Sequence, residues 1–409
     1  MVLFTGKGGV GKTTLAAATA AHLARSGRKT LVVSTDPAHS LGDALDAGLG
    51  GEATEVDGVA GLFAAHIDAR ALLEGAWGRL QEHLRTLLAG AGVEELVAEE
   101  LTLLPGVEEL LALGEVRRAA EVGPWDVVVV DCGPTAETLR LLALPEAVGG
   151  YLERVFPAHR RAVRGLLAGL AGQAPAARDA VHRWEATADA LDGLAAELAG
   201  LRALLAGPQT SIRLVLTPER VVAAETRRTV TALALHGLAV DGLIANRLVP
   251  EPERDEPGPA AAWVRRRADE QAAVLAELAG LGLPLCTVGH TAEEPAGVAP
   301  LLALAADLWG HDDPAADPGA RAPLLRVRRT AGAGTSADST FTLTLHLPGV
   351  ATEALDLARV GEQLAITVAG VRRLVALPAG LRRCTVTGAR LDRDDLHVVF
   401  RPDPAQWMR

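Results

Sequence analysis

The sequence has little lysine, methionine or cysteine. Of its 40 basic residues only Lys7, Lys12 and Lys29 are lysines; the other 37 are arginines. Met1 and Met408 are the only methionines, so any apolar groove must be built from Leu, Val and Ala. Cys132, Cys286 and Cys384 form no CxxC pair. That usage argues against a disulfide framework or a structural zinc site and fits a reducing compartment. No apolar run reaches the roughly 18 residues of a spanning helix. The chain opens Met1-Val2-Leu3-Phe4-Thr5 and runs straight into a glycine loop, so no signal peptide is expected and the expected location is the cytoplasm. No arginine-rich block occurs, and the net charge is −11, which speaks against general nucleic-acid binding through phosphate neutralisation.

What remains is ordinary globular material. Hydrophobic residues make up 49% and charged residues 22% of 409 residues, enough for two or three domains with a sizeable core. The first part reads as α/β. Val2–Thr5, Thr30–Thr35 and the four-valine run 126–131 are apolar strands, with Leu62–Ile67 a weaker candidate. Ile212–Thr217, Val240–Ala245 and Leu283–Val288 continue the series, and Thr13–Ser26 is an alanine-rich helix stopped by Gly27. Thr217-Pro218-Glu219 predicts a helix start, with Thr217 as N-cap. Strands alternating with helices imply a doubly wound, mostly parallel sheet.

Helical stretches near 72–121 and 145–206 interrupt the alternation. Val93, Leu96, Val97, Leu101 and Leu104 share one face of the first; Trp184, Leu191, Leu194, Leu198, Leu201 and Leu205 share one face of the second. Such faces form a helical subdomain packed on itself or a groove for an apolar partner helix. Residues 311–322 read as a Pro/Ala/Asp linker. Beyond it the period changes to two: Phe341, Leu343, Leu345 and Leu347 alternate with Thr342, Thr344 and His346. Short strands follow at 362–368, 371–377, 384–391 and 394–400. Residues 323–409 are therefore expected to form a separate all-β sandwich, with Thr330–Ser339 as a mobile loop.

Gly6-Lys7-Gly8-Gly9-Val10-Gly11-Lys12-Thr13 fits G-x-x-x-x-G-K-[ST], with a strand before it and a helix after. The glycines let backbone N–H groups converge on phosphates, and the helix N-terminus adds its partial positive charge. Lys12 should reach the β- and γ-phosphates of a nucleotide, with Thr13 ligating Mg²⁺. Lys7 is a second lysine that the loop does not need. It can reach across a dimer interface to the opposite subunit's phosphates, in the role of an arginine finger. Asp36 follows the second strand directly, facing the ligand crevice, and can hold the attacking water. Asp131 closes the four-valine strand and can hold Mg²⁺ through a water. Gly133 can offer an N–H to the γ-phosphate. Asn246 ends the sixth strand, where it is either an adenine reader or a turn residue.

These residues resemble a known family. The loop Gly6 to Thr14 resembles the deviant Walker A of the signature-lysine ATPases. Asp36-Pro37-Ala38-His39-Ser40 resembles switch I, and Asp131 to Leu144 switch II, of the ArsA branch, which includes the arsenite-pump ATPase and the targeting factor for tail-anchored membrane proteins. Leu104-Pro105-Gly106-Val107-Glu108-Glu109, Thr217-Pro218-Glu219 and Glu225-Thr226 also look like its motifs. The resemblance covers about 1–310; Leu347-Pro348-Gly349-Val350 and Leu377-Pro378 make 323–409 look like the α-crystallin-like small-heat-shock sandwich of some bacterial members.

The resemblance implies a P-loop fold with an inserted helical subdomain. It also implies an ATP- and Mg²⁺-dependent homodimer that hydrolyses ATP and handles a protein cargo or membrane partner. It gives Lys7, Lys12 and Asp36 catalytic roles. It places Gly6, Gly8, Gly9, Val10, Gly11, Thr13, Thr14, Gly133, Pro134 and Asn246 beside the nucleotide, and Thr13 and Asp131 beside the metal. Ala136-Glu137-Thr138 stands where the family often has Gly-His-Thr, and the dimer-pinning CxxC is missing. Arsenite wants three convergent thiolates, and the cysteines lie in three distant stretches, so an arsenite or antimonite pump is the alternative reading. A nucleotide-regulated chaperone or scaffold with little turnover is another. A ParA/MinD-like positioning role is disfavoured by the acidic chain and by its non-amphipathic ending.

Overall fold

The structure is a computed structural model that describes residues 1–36, 38, 40–72, 74, 107–133, 193, 196–197, 199–250, 257–316, 324–333 and 338–407. An eight-stranded sheet has the order β3-β4-β2-β5-β1-β6-β7-β8. Its strands are β1 (Val2–Gly6), β2 (Thr30–Ser34), β3 (Thr54–Glu55), β4 (Leu62–His66), β5 (Val127–Asp131), β6 (Ser211–Leu216), β7 (Gly242–Leu248) and β8 (Leu285–Gly289). All pairings are parallel except β3 with β4. Every residue of β1, β2 and β5 is buried. Strands covered on both faces need no polar alternation, which is why they read as continuous apolar runs.

Helix α1 (Lys12–Arg25) leaves β1 through the glycine loop and buries every one of its alanines. α2 (Ser40–Leu45) follows β2. β1 lies at the topological switch point: the chain goes from it to β2 on one side, and β6 lies on its other side. Ligand crevices form at such points, beyond the strands' carboxyl ends. α4 (Arg220–Leu235), α5 (Pro259–Ala279) and α6 (Val298–Trp309) complete this part. Trp309 of α6 donates its indole N–H to the buried Thr19 hydroxyl of α1 at 3.0 Å.

Thr217 is not the cap of α4. The helix begins at Arg220, with Glu219 extended at the N-cap and no side chain capping it. The Glu219 N–H closes on the Thr217 carbonyl at 2.7 Å, so the proline is spent in a tight turn before the helix. The Glu219 carboxylate instead accepts from Arg267 of α5 at 2.9 Å.

The carboxyl-terminal part holds a four-stranded antiparallel sheet, β14-β15-β10-β9, and a three-stranded one, β11-β12-β13. These strands are β9 (Leu325–Ala331), β10 (Thr340–His346), β11 (Leu355–Val360), β12 (Gln363–Val368), β13 (Val371–Ala376), β14 (Cys384–Asp392) and β15 (Asp395–Pro402). Leu343, Leu345, Leu364, Ile366, Leu396, Val398 and Phe400 make their common core. β9 and β11 were not read from the sequence, because both are largely exposed and interrupted by charged residues, Arg326, Arg328 and Arg329 in one and Asp356 and Arg359 in the other. β9 runs to Ala331, into the segment expected to be a loop.

This part is docked on α4. The Thr231 hydroxyl donates to the Pro348 carbonyl at 2.6 Å, the Arg373 guanidinium donates to the Leu235 carbonyl, and Leu235 joins the sandwich core. The beginning of the expected linker is also tied back, through an ion pair of Asp313 with Arg28.

A second compact unit comprises residues 67–123 and 140–205. Its described helix α3 (Val107–Val122) buries Ala112, Leu113 and Val116. Arg117 and Arg118 pair with Glu121 and Glu115. Leu201 and Leu205 are buried as their spacing predicts. The faces read at Val93–Leu104 and Trp184–Leu198 lie outside the described residues.

Candidate nucleotide and cation site

The loop between β1 and α1 is shaped by close backbone approaches. Gly6 has φ 148°, and a Cβ there would lie 2.2 Å from the Val215 carbonyl oxygen of β6. Gly11 has φ 92°, and a Cβ would lie 2.3 Å from Asn246 Nδ2. A side chain at Gly6 would have to move the β6 backbone, and one at Gly11 would displace the Asn246 side chain. Gly8 and Gly9 meet nothing within 4 Å, so the loop's outer surface is open. Gly11 caps α1 without a side-chain hydrogen bond. That helix end, with its converging N–H groups, suits an anion.

Lys12 is buried, and its ammonium donates to the Lys7 carbonyl at 3.1 Å. Thr13 Oγ1 donates to Asp131 Oδ2 at 2.8 Å and lies 3.1 Å from Ser40 Oγ. Ser34 Oγ donates to the same Asp131 oxygen at 2.9 Å. The other oxygen, Oδ1, is buried and has no partner among the described residues. Burial pushes the Asp131 carboxyl up to about 6; the Thr13 and Ser34 hydroxyls and Lys12 pull against that, and Asp36 adds to it. A buried carboxylate with one orphaned oxygen beside two further hydroxyls is an all-oxygen donor set, which a hard cation such as Mg²⁺ fits.

Asp36 is near enough to raise Asp131, and it closes a local turn in which its Oδ1 accepts from the Ala38 N–H at 3.1 Å. Its own N–H reaches Ser34 Oγ at 3.2 Å. Gly133 donates its N–H to Thr35 Oγ1 at 3.4 Å. Thr14 borders a cleft of about 300 Å³ with Gly11, Asn246, Gly289, Pro295 and Leu304. Asn246 is buried; its amide donates to the Val10 carbonyl at 2.9 Å and accepts from the Arg247 N–H at 2.8 Å. In this arrangement it buttresses the phosphate loop. Lys7 Nζ lies 3.4 Å from the Glu225 carboxylate of its own chain, and both side chains are nearly half exposed. Pro134 lies outside the described residues.

The structure thus brings together Gly6 to Thr14, Asp36, Asp131, Gly133 and Asn246. The sequence reading gave no role to Ser34, Thr35 or Ser40, whose hydroxyls complete the Asp131 surroundings. Their signal was position alone: two end or follow β2 and the third opens α2. Glu225 was quoted in a motif but not linked to Lys7. Cys132 is buried beside Asp131, and burial pushes its thiol up to about 12, which makes it a poor nucleophile. Cys286 lies in β8 and Cys384 opens β14; burial raises both thiols.

Comparison with known proteins meets this geometry from outside. Residues 1–310 match the family model described as anion-transporting ATPase, and residues 338–400 match that of the HSP20-like domain found in ArsA. Protein Rv2184c of Mycobacterium tuberculosis is 41% identical over 99% of this chain and 96% of its own length. A Chlorobaculum tepidum protein named after arsenical pump-driving ATPases is 30% identical over 98% of this chain and 95% of its own. ATPase GET3 of Podospora anserina is 31% identical over 61% of this chain and 74% of its own. The phosphate loop at the sheet's switch point, the acid closing β5 and the appended antiparallel sheets all lie within these matches, and the chain belongs to the ArsA ATPase family, with the HSP20-like domain found in ArsA proteins.

Proposed function

We propose that this protein is a Mg-ATP-hydrolysing switch that works as a homodimer and couples nucleotide state to an apolar cargo or a membrane partner. The observation that carries the reading is the Asp131 carboxylate. It is desolvated, held on one oxygen by Thr13 and Ser34, and left with a buried free oxygen on the other. A fold tolerates such a group where a cation and its waters are to be held. Thr13 and Asp131 would hold Mg²⁺, Asp131 through a water, and the ion would neutralise charge on the transferring phosphoryl group.

The chain's own groups supply the rest. Lys12, already buried, exchanges the Lys7 carbonyl for phosphate oxygens. The loop N–H groups and Gly133 hold the γ-phosphate. Asp36 gives up its turn hydrogen bond to Ala38 and orients the attacking water. Lys7 leaves Glu225 and reaches the partner subunit's phosphates. Asn246 keeps the loop against β7 and offers its remaining amide hydrogen to the adenine.

The test is phosphate release. Wild-type protein should turn over ATP only with Mg²⁺, and Lys12→Ala should lower turnover by about 10²–10³ while the fold persists. Tight ATP binding without turnover in the wild type would favour a nucleotide-regulated scaffold instead. Asp36→Asn should accumulate as an ATP-bound dimer in sedimentation, and capture with it and with Lys12→Ala would identify cargo held only in the closed form. The pump-driving reading takes its support from the names of relatives. The three thiols lie on three different strand ends, so arsenite should not stimulate turnover. A clear rise, abolished in a Cys-free variant, would select that reading.

A further inference from the structure

The end of β7 is irregular in a way the phosphate loop does not require. Its register with β8 shifts between Ala245 and Leu248, and Arg247 in that bulge has φ 61°. A left-handed backbone is costly for any residue with a Cβ, and such bulges re-aim a side chain. Three hydrogen bonds hold it. The Arg247 N–H donates to Asn246 Oδ1 at 2.8 Å, Gln271 Nε2 donates to the Arg247 carbonyl at 3.3 Å, and the Val249 N–H donates to Gln271 Oε1 at 3.0 Å. Gln271 is 4% exposed, so a buried amide of α5 is committed to one turn of backbone.

The residue so held is itself exposed, and among the described residues its guanidinium has no ion pair. The neighbouring cations are occupied: Lys7 by Glu225, Lys12 by a carbonyl, Arg267 by Glu219 and Glu270. Arg247 lies on the rim between a cleft of about 490 Å³ on the Lys7 side and the cleft of about 300 Å³ on the Thr14 side. The smaller cleft includes Glu293 and Glu294 as well as Pro295 and Leu304. Two carboxylates repel phosphates, and an apolar wall suits a flat ring.

We propose that Arg247 is a base-holding residue: its guanidinium lies flat on the purine ring of a nucleotide seated in the smaller cleft, with Gln271 as the positioning residue behind it. A planar, weakly hydrated cation stacks on aromatic faces. The proposal rests on the nucleotide reading above and adds the element that would grip the base as distinct from the phosphates.

The experiment is calorimetric binding of Mg-ATP and of magnesium tripolyphosphate, which has the phosphates without the base. Arg247→Asn is the informative variant, because Asn tolerates a left-handed backbone and leaves the bulge intact; Arg247→Lys keeps the charge but not the plane. The Asn variant should bind ATP about five- to thirtyfold more weakly and tripolyphosphate as the wild type does. The Lys variant should recover only part of the loss. Gln271→Leu should shift ATP binding in the same direction and spare tripolyphosphate. Equal losses for both ligands would make Arg247 a phosphate contact and overturn the proposal, as would unchanged ATP affinity. If the wild type binds neither ligand, the nucleotide reading itself fails and this one falls with it.

Discussion

The parallel sheet and the antiparallel sandwich bury different things. In the sheet region, Lys12, Ser34, Thr35, Asp131 and Asn246 are among the buried polar groups, and these five cluster at or just beyond the carboxyl ends of β1, β2, β5 and β7. In the sandwich the core is mostly Leu, Ile, Val and Phe, and among the described residues the buried polar ones are Ser339 and Arg373. Arg373 serves the docking on α4 rather than the core. One region carries unfavourable burial where a ligand can relieve it; the other is built for packing alone. The contrast teaches where to look for function: at the polar groups a fold would be more stable without.

The comparison can be broken most forcefully in the sandwich. Leu345 is fully buried, and Leu345→Ala should destabilise that region by about 2–5 kcal/mol in urea unfolding. ATP affinity should not change; a matching loss of affinity would show that the two regions are not separate in this sense. Asp131→Asn should do the opposite. The native carboxyl stays protonated up to about pH 6, against an ordinary value of 3.8. Between those values the native state binds more protons than the unfolded one, so stability falls as pH rises through the window. Removing the charge should therefore stabilise the nucleotide-free protein by about 2–3 kcal/mol above pH 6 and by nothing below pH 4. The same variant should lose magnesium-dependent turnover. No gain in stability at pH 7 would mean that the site is better solvated than its burial implies.

Two smaller effects sharpen the boundary between the regions. Thr231→Val removes the hydroxyl bonded to Pro348 and strands a buried carbonyl, which should cost about 1–3 kcal/mol. Hydrogen exchange should then rise at the α4–sandwich contact and not in β1 or β5. Glu225→Gln removes the half-exposed partner of Lys7. Its effect on stability should stay within about 1 kcal/mol, as for exposed ion pairs generally. A larger loss would mean that the pair is a structural strut and not a resting place for Lys7.

Much of the fold was legible in the sequence because its strands announce themselves in one of two ways. Val127 to Val130 are apolar throughout and Ile212 to Leu216 apolar at every position but Arg213, as strands buried on both faces tend to be; Phe341 to Leu347 alternate, as half-buried strands must. β3, β9 and β11 were missed for the converse reason: they are short or exposed edges with little hydrophobic signal. The start of α4 was misplaced because Pro218 reads equally as a first-turn residue and as part of a tight turn. The scarcity of lysine pointed at Lys7 and Lys12 but said nothing of Lys29. Its ammonium lies 5.2 Å and 5.1 Å from the ring centres of Phe63 and Trp125. That contact joins three distant stretches of chain and leaves no local pattern.

By itself the sequence determined the phosphate loop, the acid that follows β2 and the acid that closes β5, and the change from a doubly wound sheet to a sandwich. Each is written in consecutive residues, through glycine's backbone freedom, hydrophobic period and the position of a carboxylate at a strand end. Only the tertiary structure decided that Ser34, Ser40 and Thr13 gather at Asp131, that Lys7 rests on Glu225, and that Gln271 holds Arg247 in a left-handed turn. It also decided that the sandwich grips α4 of its own chain through Thr231 and Leu235. These depend on which strands become neighbours and on which groups burial leaves without a partner, and both are properties of the packed chain and not of any segment.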